Sequence, residues 1–100
     1  MKLQELFLVT IITERFFRDE ILKEVKELGA KGYTLTDATG EGSRGIRASD
    51  WEGKNVKIET VVSKEVGNNI IDYIADAYFE NYAVIAYAYP VSVVRGDKYI

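Results

Sequence analysis

The sequence contains no cysteine and no histidine, and it has a single proline among its 100 residues. Without cysteine the chain can form neither a disulfide framework nor a thiolate metal site, and without histidine it lacks the commonest general base and metal ligand. These absences exclude most hydrolase, protease and zinc chemistry. No apolar run approaches the roughly 20 residues of a membrane-spanning helix, so we expect a soluble, cytoplasmic protein.

Basic residues are also few. The chain has 13 lysines and arginines against 16 acidic residues, a formal net charge of −3, which argues against a nucleic-acid binder dominated by phosphate contacts. An apolar fraction of 47% with 29% charged residues is typical of a folded globular protein. A length of 100 residues allows one core, so we expect a single domain over residues 1–100.

The first half of the chain predicts a strand followed by a helix. Residues 6–12 form a short, continuous apolar run rich in branched side chains, which indicates a buried strand. Residues 14–28 then show helical spacing, with Thr13 as a plausible N-cap and Gly29 where a left-handed residue would end the last turn. The apolar positions of that helix are Phe17, Ile21, Val25 and Leu28.

The second half predicts a hairpin and another helix. Residues 33–39 are rich in aromatic and β-branched residues, and residues 55–62 alternate in the manner of a strand, so the two should pair. Ser63 is placed to cap a helix that continues with apolar residues every three or four positions to about Asn81.

Residues 82–89 are apolar throughout and predict an interior strand, with Pro90 weakening any pairing beyond it. The element order βαββαβ favours an α+β ferredoxin-like fold, an antiparallel four-stranded sheet with two helices on one face. The other face of such a sheet has few polar positions on its first and last strands. We therefore expect it to pack against other subunits of an oligomer.

The connection between the two hairpin strands, residues 40–54, is far longer than the two to five residues a hairpin usually needs. Glycine backbone N–H groups beside fixed positive charge and a hydroxyl are suited to phosphate. A solvated, flexible loop is the other interpretation and stays open. The residues concerned are Gly40, Gly42, Ser43, Arg44, Gly45 and Arg47.

Residues 32–44 and 56–62 resemble the second strand, T-loop base and third strand of the PII signalling proteins. Residues 40–47 are similar to the Gly-x-Gly-Ser-Arg-x-x-Arg pattern of the PII-like branch associated with bicarbonate transport and carboxysomes, and residues 30–34 match the Ala-x-Gly-Tyr-Thr before it. In this resemblance the T-loop is the segment of residues 40–54.

The resemblance implies a trimer whose clefts between subunits bind AMP, ADP, ATP or cyclic AMP. It implies a non-enzymatic sensor whose T-loop contacts a partner. The expected partner is a membrane bicarbonate transporter, which would recruit the protein to the membrane. Bicarbonate is a second candidate ligand, and a divalent metal is expected only with the nucleotide.

The same resemblance implies roles for individual residues. The phosphate would be surrounded by Gly40, Gly42, Ser43, Arg44 and Arg47. Thr34 and Glu59 would lie near the base or ribose, and Tyr87 and Arg95 would come from the last strand and the C-terminal segment.

Three features depart from ordinary PII proteins. Residues 78–83 are too short for the basic B-loop that grips a triphosphate, Asn55 replaces a lysine before the third strand, and the T-loop, residues 40–54, lacks the tyrosine that is uridylylated. The first departure favours a mono- or diphosphate.

Several residues allow two interpretations. Trp51 is either a partner anchor or a side chain folded over nearby apolar surface, and Glu59 with Asp37 lacks the surrounding groups of an acid–base pair. Five tyrosines could form a base-stacking platform, although core and interface packing is favoured: Tyr73, Tyr78, Tyr82, Tyr87 and Tyr89. The alternative functions are a slow metal-dependent nucleotide phosphohydrolase and an interaction module without a ligand.

Overall fold

The computed structural model describes residues 2–40 and 55–100. Within these residues, four strands, two helices and two short 3-10 turns follow in the order β1 (Gln4–Glu14), a turn (Arg15–Phe17), α1 (Arg18–Glu27), β2 (Thr34–Ala38), β3 (Asn55–Val62), α2 (Lys64–Tyr78), β4 (Ile85–Val93) and a turn (Gly96–Lys98). The strands form one antiparallel sheet in the order β2-β3-β1-β4. The predicted ferredoxin-like order is confirmed.

The core lies between the two helices and one face of the sheet. In β3 every second residue is buried, starting at Val56, as the alternation in the sequence predicted. Side chains of β1, β3 and both helices meet there, and burying each contributes about 1.5–3 kcal/mol. The fully buried aliphatic residues of this cluster are Val9, Ile11, Ile21, Val25, Ile58, Val62, Ile70 and Ile74.

The N-terminus of α1 was predicted incorrectly. Thr13 is not an N-cap, because β1 continues through Glu14 and Thr13 is fully buried opposite Val56. The helix begins only at Arg18, after a 3-10 turn. Pairing with β3 and burial of the β-branched Thr13 side chain outweigh the helical spacing of the sequence. Gly29 has φ of +128°, so its predicted place beyond the helix end is confirmed.

The second helix starts as predicted, since the Ser63 side chain accepts a hydrogen bond of 3.2 Å from the backbone N–H of Val66. It ends at Tyr78 and not near Asn81, because the chain turns there through N–H donation from Asn81 and Tyr82 to the Tyr78 carbonyl. Within the described part of the chain, no helix is long and apolar enough to span a membrane.

The last strand also differs from the prediction. It runs from Ile85 to Val93, lies at the edge of the sheet and pairs with β1 through and beyond Pro90, which faces Phe7. An edge strand tolerates proline because one side of its backbone has no neighbouring strand to receive an N–H. The pairing that Pro90 was expected to weaken therefore continues to Val93.

The face of the sheet away from the helices remains open. Ile85, Tyr87 and Tyr89 lie opposite Ile12, Thr10 and Leu8 on this face and are 46–54% exposed. Exposed apolar side chains in such a row are typical of a surface that another molecule covers. That this surface joins subunits of an oligomer stays a prediction.

Tyr78 joins the two helices through an aromatic cluster. Its buried ring packs edge-on against Phe17 at 5.2 Å and Tyr73 at 6.0 Å between centroids, and its hydroxyl donates to the Glu20 carboxylate. Packing is thereby confirmed for Tyr73 and Tyr78. Because they lie on the helix layer, they cannot share a stacking platform with Tyr87 and Tyr89 on the open face.

Stability should fall steeply at high pH because of Tyr78. Burial, followed by the hydrogen bonds to Glu20 and Tyr73, raises the pKa of Tyr78 far above that of a free tyrosine. Above about pH 10 the unfolded chain loses this proton while the folded chain keeps it, so unfolding becomes more favourable as pH rises. Urea unfolding between pH 7 and 11 should show a smaller loss of stability for Tyr78→Phe than for the unaltered chain.

Tyr33→Phe is the matched control, because Tyr33 is exposed. It should leave the pH dependence unchanged. An equal dependence in the Tyr78→Phe variant would show that Tyr78 does not cause the loss.

Candidate functional site

A row of four side chains crosses the open face of the sheet. Thr34 pairs with Glu59, Glu59 with Thr10, and Thr10 with Tyr87. Directly paired residues of neighbouring strands point to the same face and lie about 5 Å apart. The register therefore brings Thr34 and Glu59 together, and it places Tyr87 two strands from Glu59, about 10 Å away.

Thr34 and Glu59 open into a cleft of about 520 Å³ between β2, β3 and the C-terminal turn, residues 95–99. This volume lies within the range of small-molecule sites, roughly 300–1,000 Å³. The groups that a ligand can use include two lysine ammonium groups, two tyrosine side chains, one carboxylate and one threonine hydroxyl. These groups belong to Lys31, Lys98, Tyr33, Tyr99, Glu59 and Thr34.

The rim of the cleft is fixed by a hydrogen bond from the core side. Thr60 is 2% exposed, and its Oγ1 donates to the Gly32 carbonyl at 2.6 Å. This bond ties the segment before β2 to the middle of β3. Tyr33 and Thr34, which follow Gly32 directly, are thereby held beside Glu59.

The charged side chains of the cleft are available to a ligand. Within residues 2–40 and 55–100, the ion pairs join Arg15 to Asp37 at 2.8 Å and Arg18 to Asp19 at 3.0 Å, and neither involves Lys31, Lys98 or Glu59. The Lys98 ammonium lies 5.8 Å from the centroid of the Tyr99 ring, a cation–π distance.

Glu59 and Asp37 do not form an acid–base pair. Glu59 lies on the open face, whereas Asp37 pairs with the core residue Val56 and belongs to the opposite face. Asp37 is instead engaged by Arg15. In the described part of the chain, no group of three or more acidic side chains could hold a metal ion.

The remaining predicted residues are distributed differently. Gly40 follows β2 at the end away from Thr34, and β2 alone separates these ends by about 13 Å. Arg95 begins the C-terminal turn with a left-handed backbone, φ of +60°, and does not line the cleft. The predicted residues outside the described part of the chain are Gly42, Ser43, Arg44, Arg47 and Trp51.

Four cleft residues with a charged or aromatic side chain were not proposed from the sequence: Lys31, Tyr33, Lys98 and Tyr99. Tyr33 and Lys31 adjoin the predicted Thr34, so proximity along the chain could have suggested them. Lys98 and Tyr99 gave no such signal, because their position depends on the turn after β4 folding back toward β3.

The fold and the cleft define a ferredoxin-like protein with a polar small-molecule cleft on the open face of its sheet. Residues 6–98 match the family described as nitrogen regulatory protein P-II. The chain therefore belongs to the PII family of signalling proteins, and the resemblance found in the sequence is confirmed.

Individual relatives support this assignment. A PII-like signalling protein from Thermus thermophilus is 55% identical, with a TM-score of 0.87 over 100% of both chains. CPII from Thiomonas intermedia, solved with ADP and bicarbonate, is 23% identical, with a TM-score of 0.86 over 99% of this chain and 98% of CPII. At that identity the likeness to CPII shows the fold alone.

The nitrogen regulatory protein GlnK2 from Haloferax mediterranei is 35% identical over 72 residues. This alignment covers 60% of the present chain and 58% of the length of GlnK2. The match thus spans less than two thirds of that relative.

The two neighbours Glu59 and Thr60 should respond differently to substitution. Thr60→Val keeps the shape of the side chain but removes the bond to Gly32, so it should lower the free energy of unfolding by about 1 kcal/mol. Glu59→Gln should change it by less than about 0.5 kcal/mol, because Glu59 makes no ion pair within the described residues. Urea unfolding measures both. A loss above about 1 kcal/mol for Glu59→Gln would mean that Glu59 supports the fold and is not reserved for a ligand.

Proposed function

We propose that this PII-family chain is a sensor that binds an adenine nucleotide between the subunits of a homotrimer and regulates a partner through its T-loop. Residues 1–100 act as one domain in this proposal. The observation that carries it is the pairing of Thr34 with Glu59 at the rim of the 520 Å³ cleft.

The chemistry of the cleft suits a nucleotide. The rings of Tyr33 and Tyr99 offer apolar faces on which a base can stack. The Glu59 carboxylate can accept hydrogen bonds from an exocyclic amine or from ribose hydroxyls. Lys31 and Lys98 supply positive charge for the phosphate oxygens.

The distribution of the site along β2 supports a cleft shared between chains. Thr34 is the first residue of this strand and Gly40 follows its other end, so one nucleotide does not readily reach both within one subunit. A neighbouring copy packed on the open face would bring its own T-loop to the cleft. The exposed row of Ile85, Tyr87 and Tyr89 provides apolar surface for that contact.

Relatives suggest which ligands to test. CPII has been solved with ADP and bicarbonate, and with ADP, AMP and acetate. For the present chain we propose AMP or ADP before ATP, because residues 78–83 are too short for a triphosphate-gripping loop. Cyclic AMP and bicarbonate are further candidates, and a divalent metal would enter only with the nucleotide.

The T-loop carries the output in this proposal. Arg44 and Arg47 would bind phosphate from the loop base, and nucleotide binding would change the conformation that a partner recognises. Trp51 would anchor that partner. A membrane bicarbonate transporter is the proposed target, which a cytoplasmic, non-enzymatic sensor would reach by recruitment to the membrane.

A thermal-shift series with AMP, cyclic AMP, ADP and ATP, each with and without bicarbonate and Mg²⁺, tests the proposal. A ligand at 100 times its Kd stabilises the folded state by about 2.7 kcal/mol, which corresponds to a shift on the order of 10 °C for a domain of this size. We expect such a shift with AMP or ADP, and a much smaller one in the Arg44→Ala and Arg47→Ala variants.

Arg18→Ala is the matched control, because it removes the same charge from α1 and should keep the full shift. The absence of a shift with all four nucleotides would contradict nucleotide sensing. Equal shifts in all three arginine variants would contradict the role of Arg44 and Arg47 but would leave nucleotide binding itself supported.

A further inference from the structure

Three aromatic rings form a contiguous patch on the helix layer, beside the start of α1. Phe16 is 72% exposed and Tyr82 is 42% exposed. The Phe17 ring lies between them, with its centroid 5.1 Å from that of Phe16 and 4.7 Å from that of Tyr82. Phe16, Phe17 and Tyr82 are called the aromatic patch below. Exposed aromatic side chains that touch one another are typical of a surface that binds another molecule.

The aromatic patch is fixed by the core beneath it. Phe17 is half-buried against the core cluster, and its ring lies 5.2 Å from that of the buried Tyr78. The N–H of Tyr82 donates to the Tyr78 carbonyl at 3.0 Å, and the Tyr82 carbonyl accepts from the N–H of Val84 at 2.9 Å. A surface that is already ordered loses little conformational freedom when a partner binds.

The aromatic patch lies at the end of the sheet to which the T-loop is attached. Phe16 follows the last residue of β1, Glu14, by two positions, and Glu14 pairs with Asn55, which directly follows the T-loop. The Arg15 guanidinium donates to the Asp37 carboxylate at 2.8 Å, which ties the segment before Phe16 to β2. The aromatic patch is therefore adjacent to the base of the T-loop and separate from the open face of the sheet.

The surface next to the aromatic patch, between α1 and α2, is acidic. The Glu20 carboxylate accepts a hydrogen bond from the Tyr78 hydroxyl, and Glu24 lies one turn further along α1. Asp76 lies one turn from Tyr73, whose hydroxyl is 3.4 Å from that of Tyr78. Within residues 2–40 and 55–100, none of these three carboxylates takes part in an ion pair.

The cations close to the aromatic patch are mostly neutralised. Arg15 pairs with Asp37 at 2.8 Å and Arg18 pairs with Asp19 at 3.0 Å. Lys23 lies one turn from Glu20 on α1 and offsets a single charge. Negative charge therefore remains beside the exposed rings.

We propose that the aromatic patch is a docking surface for a basic segment of a partner protein, which packs an apolar side chain on the rings and sets its lysines or arginines against the acidic groups. The identity of this partner rests on the proposed function, since the adjacent T-loop would contact the same protein. Cytoplasmic segments of membrane proteins carry an excess of lysine and arginine, so a membrane transporter would supply such a segment.

The charge beside the rings argues against other occupants. A second copy of this chain docked patch to patch would bring the same carboxylates together, because a two-fold interface joins identical surfaces. The cytoplasmic surface of a membrane is anionic and would be repelled for the same reason. A basic protein segment satisfies both the aromatic rings and the carboxylates.

Two synthetic amphipathic peptides test this on the full chain by fluorescence anisotropy. One peptide carries leucines on one helical face and lysines elsewhere, and glutamates replace the lysines in the second. We expect the lysine peptide to bind about tenfold or more tightly than the glutamate peptide. Phe16→Ser and Tyr82→Ser should each weaken binding of the lysine peptide about tenfold, as the loss of an aromatic anchor does.

Two further variants control for side effects of these substitutions. Phe16→Tyr keeps a ring at this position and should keep the affinity within about threefold of that of the unaltered chain. Leu3→Ser removes a side chain that is 62% exposed from the opposite end of β1, so it should leave the affinity unchanged. Circular dichroism and thermal melting confirm that each variant folds.

Calorimetry with ADP separates this inference from the proposed function. Phe16→Ser should bind ADP as the unaltered chain does, because the aromatic patch and the cleft lie on different faces of the sheet. Equal affinity of Phe16→Ser and the unaltered chain for the lysine peptide would overturn the docking surface and leave nucleotide sensing intact. Equal binding of the two peptides would overturn the basic character of the partner. Phe16-dependent binding of the lysine peptide to a chain that binds no ADP would support the docking surface and contradict nucleotide sensing.

Discussion

β1 pairs with β3 on one side and with β4 on the other, and this double pairing divides the side chains of the sheet between two faces. On one face Val9 and Ile11 are buried by the helices. On the other face Thr10 lies between Glu59 and Tyr87. A shift of one residue in either register would send these polar side chains into the core. The apolar packing under the helices therefore fixes the row from which the cleft is built.

The cleft depends on the same core at two further points. Thr60 is one of three buried polar residues in the described part of the chain, and its bond to Gly32 connects the helix side of β3 with the rim that carries Tyr33 and Thr34. The C-terminal turn is seated against Gln4 at the start of β1. Groups from the middle and from the C-terminal end of the chain thus meet at the cleft on the open face of the sheet, and each is positioned by contacts that also stabilise the fold. Rigid support of this kind is what keeps a binding site preorganised.

Much of the fold could be predicted because its signals are local. The alternation of β3 and the cap at Ser63 need only neighbouring residues, and both are confirmed. The predicted N-terminus of α1 was wrong because the conformation of Thr13 depends on its pairing with Val56, which is distant along the chain. The prediction that Pro90 weakens strand pairing was wrong for a similar reason. The energetic cost of a proline depends on whether its strand lies at an edge, and only the order of strands in the sheet shows this.

The residues of the site also differ in whether the sequence could predict them. Thr34 and Glu59 were proposed from a family resemblance, and the register places them side by side. Lys98 and Tyr99 were missed because no local pattern tells where a turn after the last strand will pack. The roles of Gly42, Ser43, Arg44, Arg47 and Trp51 stay predictions, because these residues lie outside the part of the chain that the structure describes.

In the proposed function, the cleft binds a nucleotide only when a second copy of the chain completes it. Native mass spectrometry of the full chain with increasing ADP tests this most directly, because it counts chains and ligands in the same particle. We expect assemblies of three chains that carry up to three ADP molecules, with little ADP on single chains. Single chains that hold ADP as well as the assembly does, or the absence of any assembly at concentrations where ADP is bound, would contradict it.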